Sequence, residues 1–186
     1  IFFNQHKIQY LKFKIMKLKI GLYSFVLSIV LGCSSPSRNL KTTYDVSKKE
    51  GMIVGTVCIE NKTYGGYTFF YTDDLQGVSD YPNLSDSFTY KYSAGDYNEK
   101  NKTYYLFSIV KPKGKYKFAK IKIYDNATNK IMKFEIPLDI KFVIEEGKTT
   151  YFGQLNVNTQ EKKYTVEDEN ERDRKWFLEK QPLIQF

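Results

Sequence analysis

Two cysteines, one histidine and a few acid-bearing stretches are what this chain offers to covalent or acid–base chemistry. Asp73, Asp74, Asp80, Asp86, Glu145 and Glu146 stand in polar segments, where two carboxyls could face each other across a cleft. Glycoside hydrolysis needs such a pair, roughly 5 to 9 Å apart and with separated pKa values. Cys58 lies inside Met52-Ile-Val-Gly-Thr-Val-Cys-Ile59, a β-branched run that reads as a core strand, so its thiol is expected to pack rather than react. Cys33 is placed differently. It ends an apolar run, directly after Gly32 and before Ser-Ser-Pro-Ser.

That run, Ile20 to Leu31, is 12 residues long. A bilayer span needs about 20, whereas a signal-peptide hydrophobic region fits this length. Lys17 and Lys19, after Met16, supply the short positive segment that precedes such a region. The end of the run, Val30-Leu31-Gly32-Cys33, resembles the lipobox of bacterial lipoproteins. The resemblance implies cleavage after Gly32 and acylation of Cys33, which becomes the first residue of the mature protein. It also implies a bilayer as partner and the covalent lipid as the one non-protein group, with no metal. Multiple acyl chains anchor stably where a single chain binds only marginally. Ser34 is not the aspartate associated with inner-membrane retention, and Ser34-Ser-Pro-Ser-Arg38 has no acidic cluster of the kind that marks surface export. The expectation is therefore the outer membrane, facing the periplasm. Residues 1–15 have no helical stripe and are read as translated upstream of a start at Met16, with a long basic leader as the alternative.

Removing residues 1–32 takes Lys7, Lys12, Lys14, Lys17 and Lys19 and no acid, so the net charge of +8 falls to +3. The basic excess that would suggest nucleic acid goes with the leader, and nucleic acid is not expected as a partner. His6 is also in the removed segment. Imidazole-activated nucleophiles, histidine bases and histidine-containing zinc sites are then excluded for the mature chain. Cys58 is left without an internal disulfide partner.

Residues 33–49 are polar and read as a tether, and 50–186 as one β-rich domain. Strands are expected at Gly51–Glu60, Tyr67–Thr72, Phe88–Tyr92, Thr103–Val110, Lys115–Tyr124, Ile131–Ile136, Asp139–Glu145, Tyr151–Val157 and Lys162–Val166. Gly65 and Gly66 suggest that the first two form a hairpin. Between Phe118 and Ile121 the apolar spacing slips by one, which predicts a bulge at Ala119–Lys120. The lysines at 115, 117, 120 and 122 share the opposite phase from Tyr116, Phe118, Ile121 and Ile123. Asp125–Lys130 carries turn residues but not the Gly and Glu of a calcium loop, and Gly147-Lys148-Thr149 lacks the earlier glycine of a phosphate loop. Asp168 and Glu171 have capping-box spacing for a helix at about 168–180, ended by Pro182, with Trp176 and Phe177 docking it.

The pattern predicts a mainly β fold, an antiparallel sandwich or barrel of seven to nine strands with a C-terminal helix. Phe142-Val-Ile-Glu-Glu-Gly-Lys-Thr-Thr-Tyr-Phe-Gly-Gln-Leu155 resembles the late hairpin of transthyretin-like and carboxypeptidase-regulatory-like sandwiches of bacterial lipoproteins, which implies a sandwich. Asp73–Ser87 and Ser93–Lys102 read as polar loops, and Tyr64, Tyr81 and Tyr97 are candidate contact residues, because tyrosine combines contact area with a polar tip. The functional expectation is a non-enzymatic binding or structural module for an envelope protein or glycan. The alternatives are a carboxylate-based glycan hydrolase and an assembly or transport accessory lipoprotein.

Overall fold

Nine strands, one α-helix and a short 3-10 turn at Val46–Lys48 form among the described residues, the longer strands being runs rich in β-branched and aromatic side chains. The computed structural model describes residues 40–61, 64–73, 86–91, 94–126 and 131–186, which fall in one compact unit, Ser35–Phe186. The strands are β1 (Glu50–Glu60), β2 (Gly66–Asp73), β3 (Asp86–Lys91), β4 (Tyr97–Glu99) and β5 (Lys102–Pro112), then β6 (Gly114–Asn126), β7 (Ile131–Ile144), β8 (Thr149–Asn158) and β9 (Lys163–Glu167). Helix α1 spans Asn170–Lys180.

One sheet runs β4-β5-β1-β8-β9 and the other β3-β2-β6-β7. The sheets are not closed into a barrel, so of the two architectures the sandwich is the one formed. Ile53, Val57 and Ile59 of β1 and Tyr105, Phe107 and Ile109 of β5 face Phe69, Phe118, Ile121 and Ile123 of the second sheet across the core. Phe107 stacks on Phe88 with centroids 5.5 Å apart, which joins the layers through aromatic contact.

The outer face of the first sheet is covered as well. Met52, Val54, Leu106 and Val110 pack under Phe177 of α1 and Ile184 of the C-terminal segment. This explains why β1 is buried from Gly51 to Ile59 on both faces. Full burial of Phe177 contributes about 1.5–3 kcal/mol. The segment preceding β1 docks here too, within the stretch expected to be a tether. Leu40 and Tyr44 join this cluster, Ser108 Oγ donates to the Lys41 carbonyl at 2.7 Å, and Tyr44 OH donates to the Gly147 carbonyl at 2.7 Å.

Several sequence expectations are corrected. β1 and β2 do not form a hairpin: β1 pairs along its length with β5 and, in parallel, with β8, while β2 pairs with β3 and β6. β1 is apolar on both faces and needs a central place with two neighbours, so β1 and β2 lie in different sheets. Ile131–Ile136 and Asp139–Glu145 are one strand that runs through Pro137. β7 is a sheet edge, where a proline without an N–H costs no ladder bond. The stretch Ser93–Lys102 contains the short strand β4. At the start of α1 the Asp168 carboxylate accepts from Asn170 N–H at 3.1 Å, and Glu169 occupies the N-cap without a side-chain bond, so no capping box forms. The bulge is where the spacing placed it: Phe70 pairs with Lys120 and the next residue, Tyr71, with Phe118, leaving Ala119 as the extra residue of β6.

Candidate binding face

Strand register decides which side chains share the open face of the second sheet. Phe69 is fully buried and points into the core, so the adjacent Phe70 points outward. Ser87, Phe70, Lys120 and Pro137 form one transverse row, and Thr89, Thr68, Lys122 and Glu135 the next. A third row is Lys91, Gly66 and Tyr124, where the glycine leaves a gap. The rows enclose a hollow of about 320 Å³ bordered by Gly66, Thr68, Phe70, Ser87, Thr89, Lys91 and Tyr124. That volume is at the lower end for small-ligand sites.

Polar groups in the hollow are well placed to exchange hydrogen bonds. The Thr68 and Thr89 hydroxyls are 2.9 Å apart. One donates to the other, so one hydroxyl hydrogen and several lone pairs are left for a ligand. Beside them the ammonium groups of Lys120 and Lys122 lie 5.8 and 5.4 Å from the Phe70 centroid. Glu135 holds both lysines, at 3.0 and 3.4 Å. Burial pulls the Glu135 carboxyl upward, but its hydrogen bond and charge interactions with Lys120 and Lys122 outweigh this and hold it below the usual carboxylate range. An aromatic ring, hydroxyls and cations in one concavity can hold a polar, ring-shaped ligand.

The residues singled out from sequence are distributed elsewhere. Tyr64 meets Phe134 edge to face at 5.6 Å. Tyr97 stacks on Trp176 at 4.3 Å and donates its hydroxyl to Glu179 at 2.9 Å. Both rings are engaged within the domain. Tyr81, Gly32 and Cys33 lie outside the described residues. Of the acids, Asp86 is paired with Lys111 at 2.6 Å, Glu146 with Lys113 at 2.9 Å and Glu145 with Lys148. Asp74 and Asp80 lie outside the described residues, and no described carboxylate borders the hollow. Cys58 is buried, and burial pushes its thiol up to about 12. Among the described residues no three of His, Cys, Asp and Glu converge as metal ligands.

Sequence reasoning did not find this face. Its signal is in Tyr67-Thr-Phe-Phe-Tyr-Thr72, where strict alternation sends Phe70 to the polar side with Thr68 and Thr72.

No family model matches the chain, and no curated protein matches it. Among solved structures, a leucine-rich repeat protein from Bacteroides thetaiotaomicron VPI-5482 is similar over 60% of this chain, with 13% identity and a TM-score of 0.37. The chain covers 12% of that protein's length.

Proposed function

We propose that this chain is an outer-membrane, periplasm-facing lipoprotein, anchored through an acylated Cys33, whose sandwich is a non-enzymatic glycan-binding module. The observation that carries the binding reading is the hollow beside Phe70, with the paired Thr68 and Thr89 hydroxyls and Ser87 around it. The C–H face of a sugar ring gains dispersion contact against an aromatic surface, while its hydroxyls exchange hydrogen bonds with Ser and Thr. No described carboxylate lines the hollow, which favours binding over hydrolysis there. The anchor reading rests on the short apolar run ending in Gly32-Cys33. Anchoring would hold the binding face at high local concentration near its envelope target.

Two measurements test this. Metabolic labelling with an alkynyl fatty acid should mark the wild-type chain and not Cys33→Ser; labelling of both, or of neither, rejects the anchor. A glycan array probed with the Cys33→Ser chain should give hits that Phe70→Ala loses by roughly tenfold, the weight of one well-packed aromatic contact. Hits indifferent to Phe70→Ala would move the site elsewhere.

A further inference from the structure

The charge on the open face extends beyond the hollow and, resting on the glycan-binding role proposed for that hollow, bears on the chemical class of the glycan. Register and alternation place Lys91 of β3, Lys115, Lys117, Lys120 and Lys122 of β6 and Lys141 of β7 on this face, against the acids Glu135 and Asp139. Lys117 lies directly opposite Lys141 across the β6–β7 pair. No described carboxylate is within ion-pair distance of Lys91, Lys115 or Lys117. From Lys115 to Lys122 the ladder runs along roughly 23 Å of strand, long enough for several sugar residues rather than one.

Glu135 is the local counter-ion. It bridges Lys120 and Lys122 beside Phe70, outside the residues that border the hollow. An anionic group entering between those lysines would take over the contacts that Glu135 makes.

We propose that the ligand of this face is an acidic glycan, a chain of sugars bearing carboxylate, sulfate or phosphate groups, and that it displaces Glu135 from Lys120 and Lys122. The apolar face of one sugar lies against Phe70 and its hydroxyls meet Thr68, Thr89 and Ser87, while the anionic substituents of the chain follow the lysine ladder. A bilayer fits the face less well, because interfacial docking needs protruding apolar side chains. Here Phe70 is half-buried with two ammonium groups beside it.

The test uses the Cys33→Ser chain with oligogalacturonate, alginate and heparin oligosaccharides, each beside its carboxyl-reduced or desulfated form, at fixed low salt. The expected result is that at least one acidic form binds better than its neutralised counterpart, with affinity falling as salt rises. Lys122→Ala should weaken that binding about threefold, and Glu135→Gln should strengthen it about threefold, the scale of an exposed ion pair. The gain from Glu135→Gln cannot come from misfolding. Equal binding of acidic and neutral forms, lost in Phe70→Ala, would overturn the charge inference and leave the glycan reading standing. Binding of no glycan in either form would overturn both. Lysine-dependent binding to single-stranded DNA or phosphatidylglycerol vesicles as tight as to the acidic glycans would overturn the inference in favour of a general cationic surface.

Discussion

Thr56 and Asp173, 117 residues apart in sequence, meet at 2.7 Å, the hydroxyl of β1 donating to the carboxylate of α1. Both are fully buried. Tyr151 of β8 donates to the same oxygen at 2.8 Å, and Arg172 Nε to the other at 3.0 Å. Arg172 also donates to Gln154 and lies over the Trp176 ring at 4.2 Å. A buried carboxylate is tolerable only when its lone pairs are filled, and here β1, β8 and α1 fill them together. The helix is thus fixed to the sheet by a polar centre set beside the apolar contact of Phe177.

Asp173→Ala should therefore cost about 3–5 kcal/mol, because it leaves Arg172, Tyr151 and Thr56 without their acceptor. Thr56→Val, which removes one donor to a charged group and keeps the shape, should cost about 1.5–3 kcal/mol. Urea unfolding monitored by circular dichroism measures both. A cost below about 1 kcal/mol for Asp173→Ala would show that the centre does not hold the helix.

Gly55 and Gly153 face each other in the parallel β1–β8 pair, beside a register shift at Val54/Gly55. A Cβ at Gly55 would collide with the Gly153 carbonyl and the Phe107 ring. Gly153 itself has φ of +113°, in the region that favours glycine. Gly55→Ala should destabilise by about 2–4 kcal/mol through forced repacking around Phe107. Ala at Gly147, which has positive φ but open surroundings, should cost less, on the order of 1 kcal/mol. Thermal melts of the two variants compare them directly, and equal losses would contradict the close-approach explanation.

Much of the sandwich could be read from local pattern, because alternation is a property of each strand alone. The slip between Phe118 and Ile121 located the Ala119 bulge for that reason. Pairing was not legible: Gly65 and Gly66 look like a hairpin turn, yet β1 finds its partners at β5 and β8, fixed by burial on both faces. Gly55, inside an apolar run, carried the sign of close backbone approach but not the identity of its neighbour. Nor could α1 disclose that Asp173 is buried, since an acid in a first helical turn is ordinarily solvated. The open face depends on three strands that β2 brings together, so its lysines and Phe70 become one surface only when register is known.

Stability should fall at alkaline pH, and the direction is set by the groups that burial keeps neutral. The Cys58 thiol, ordinarily near 9.0, is pushed up to about 12, chiefly by burial. Burial likewise raises Tyr67, Tyr71 and Tyr90 above their ordinary value of 10.0, and Tyr151 is raised by burial and then by the Asp173 charge. These groups release protons from about pH 9 upward when the chain is unfolded and hold them when it is folded. Their contribution is fully present below about pH 9 and is lost as pH rises toward 12 and beyond. Tm should be flat between about pH 7 and 8.5 and lower at about pH 10.5. In the native state at about pH 8, Cys58 should react with a disulfide reagent only at the rate of unfolding. Fast stoichiometric labelling of the folded Cys33→Ser chain would place the Cys58 thiol at the surface and contradict its burial in β1.

Trp176 is the single tryptophan of the chain, so its fluorescence reports on α1 docking. Its ring is stacked on Tyr97 of β4 at 4.3 Å, with the Arg172 guanidinium 4.2 Å from its centroid and Tyr104 meeting it edge-on at 5.0 Å. Tyr97 adds a hydrogen bond to Glu179, one turn further along the helix. Tyr97→Ala opens one face of the indole to water and removes a stacked pair worth about 0.5–1.5 kcal/mol beyond its area. The expected outcome is a red-shifted emission with an unchanged far-ultraviolet spectrum, and a stability loss of roughly 1–3 kcal/mol. In urea, the fluorescence and circular dichroism transitions should coincide for the wild type, since the Asp173 centre couples α1 to β1 and β8. An earlier fluorescence transition in the wild type would mean that the helix detaches from a sandwich that remains folded, and the polar centre would then not be a cooperative part of the core.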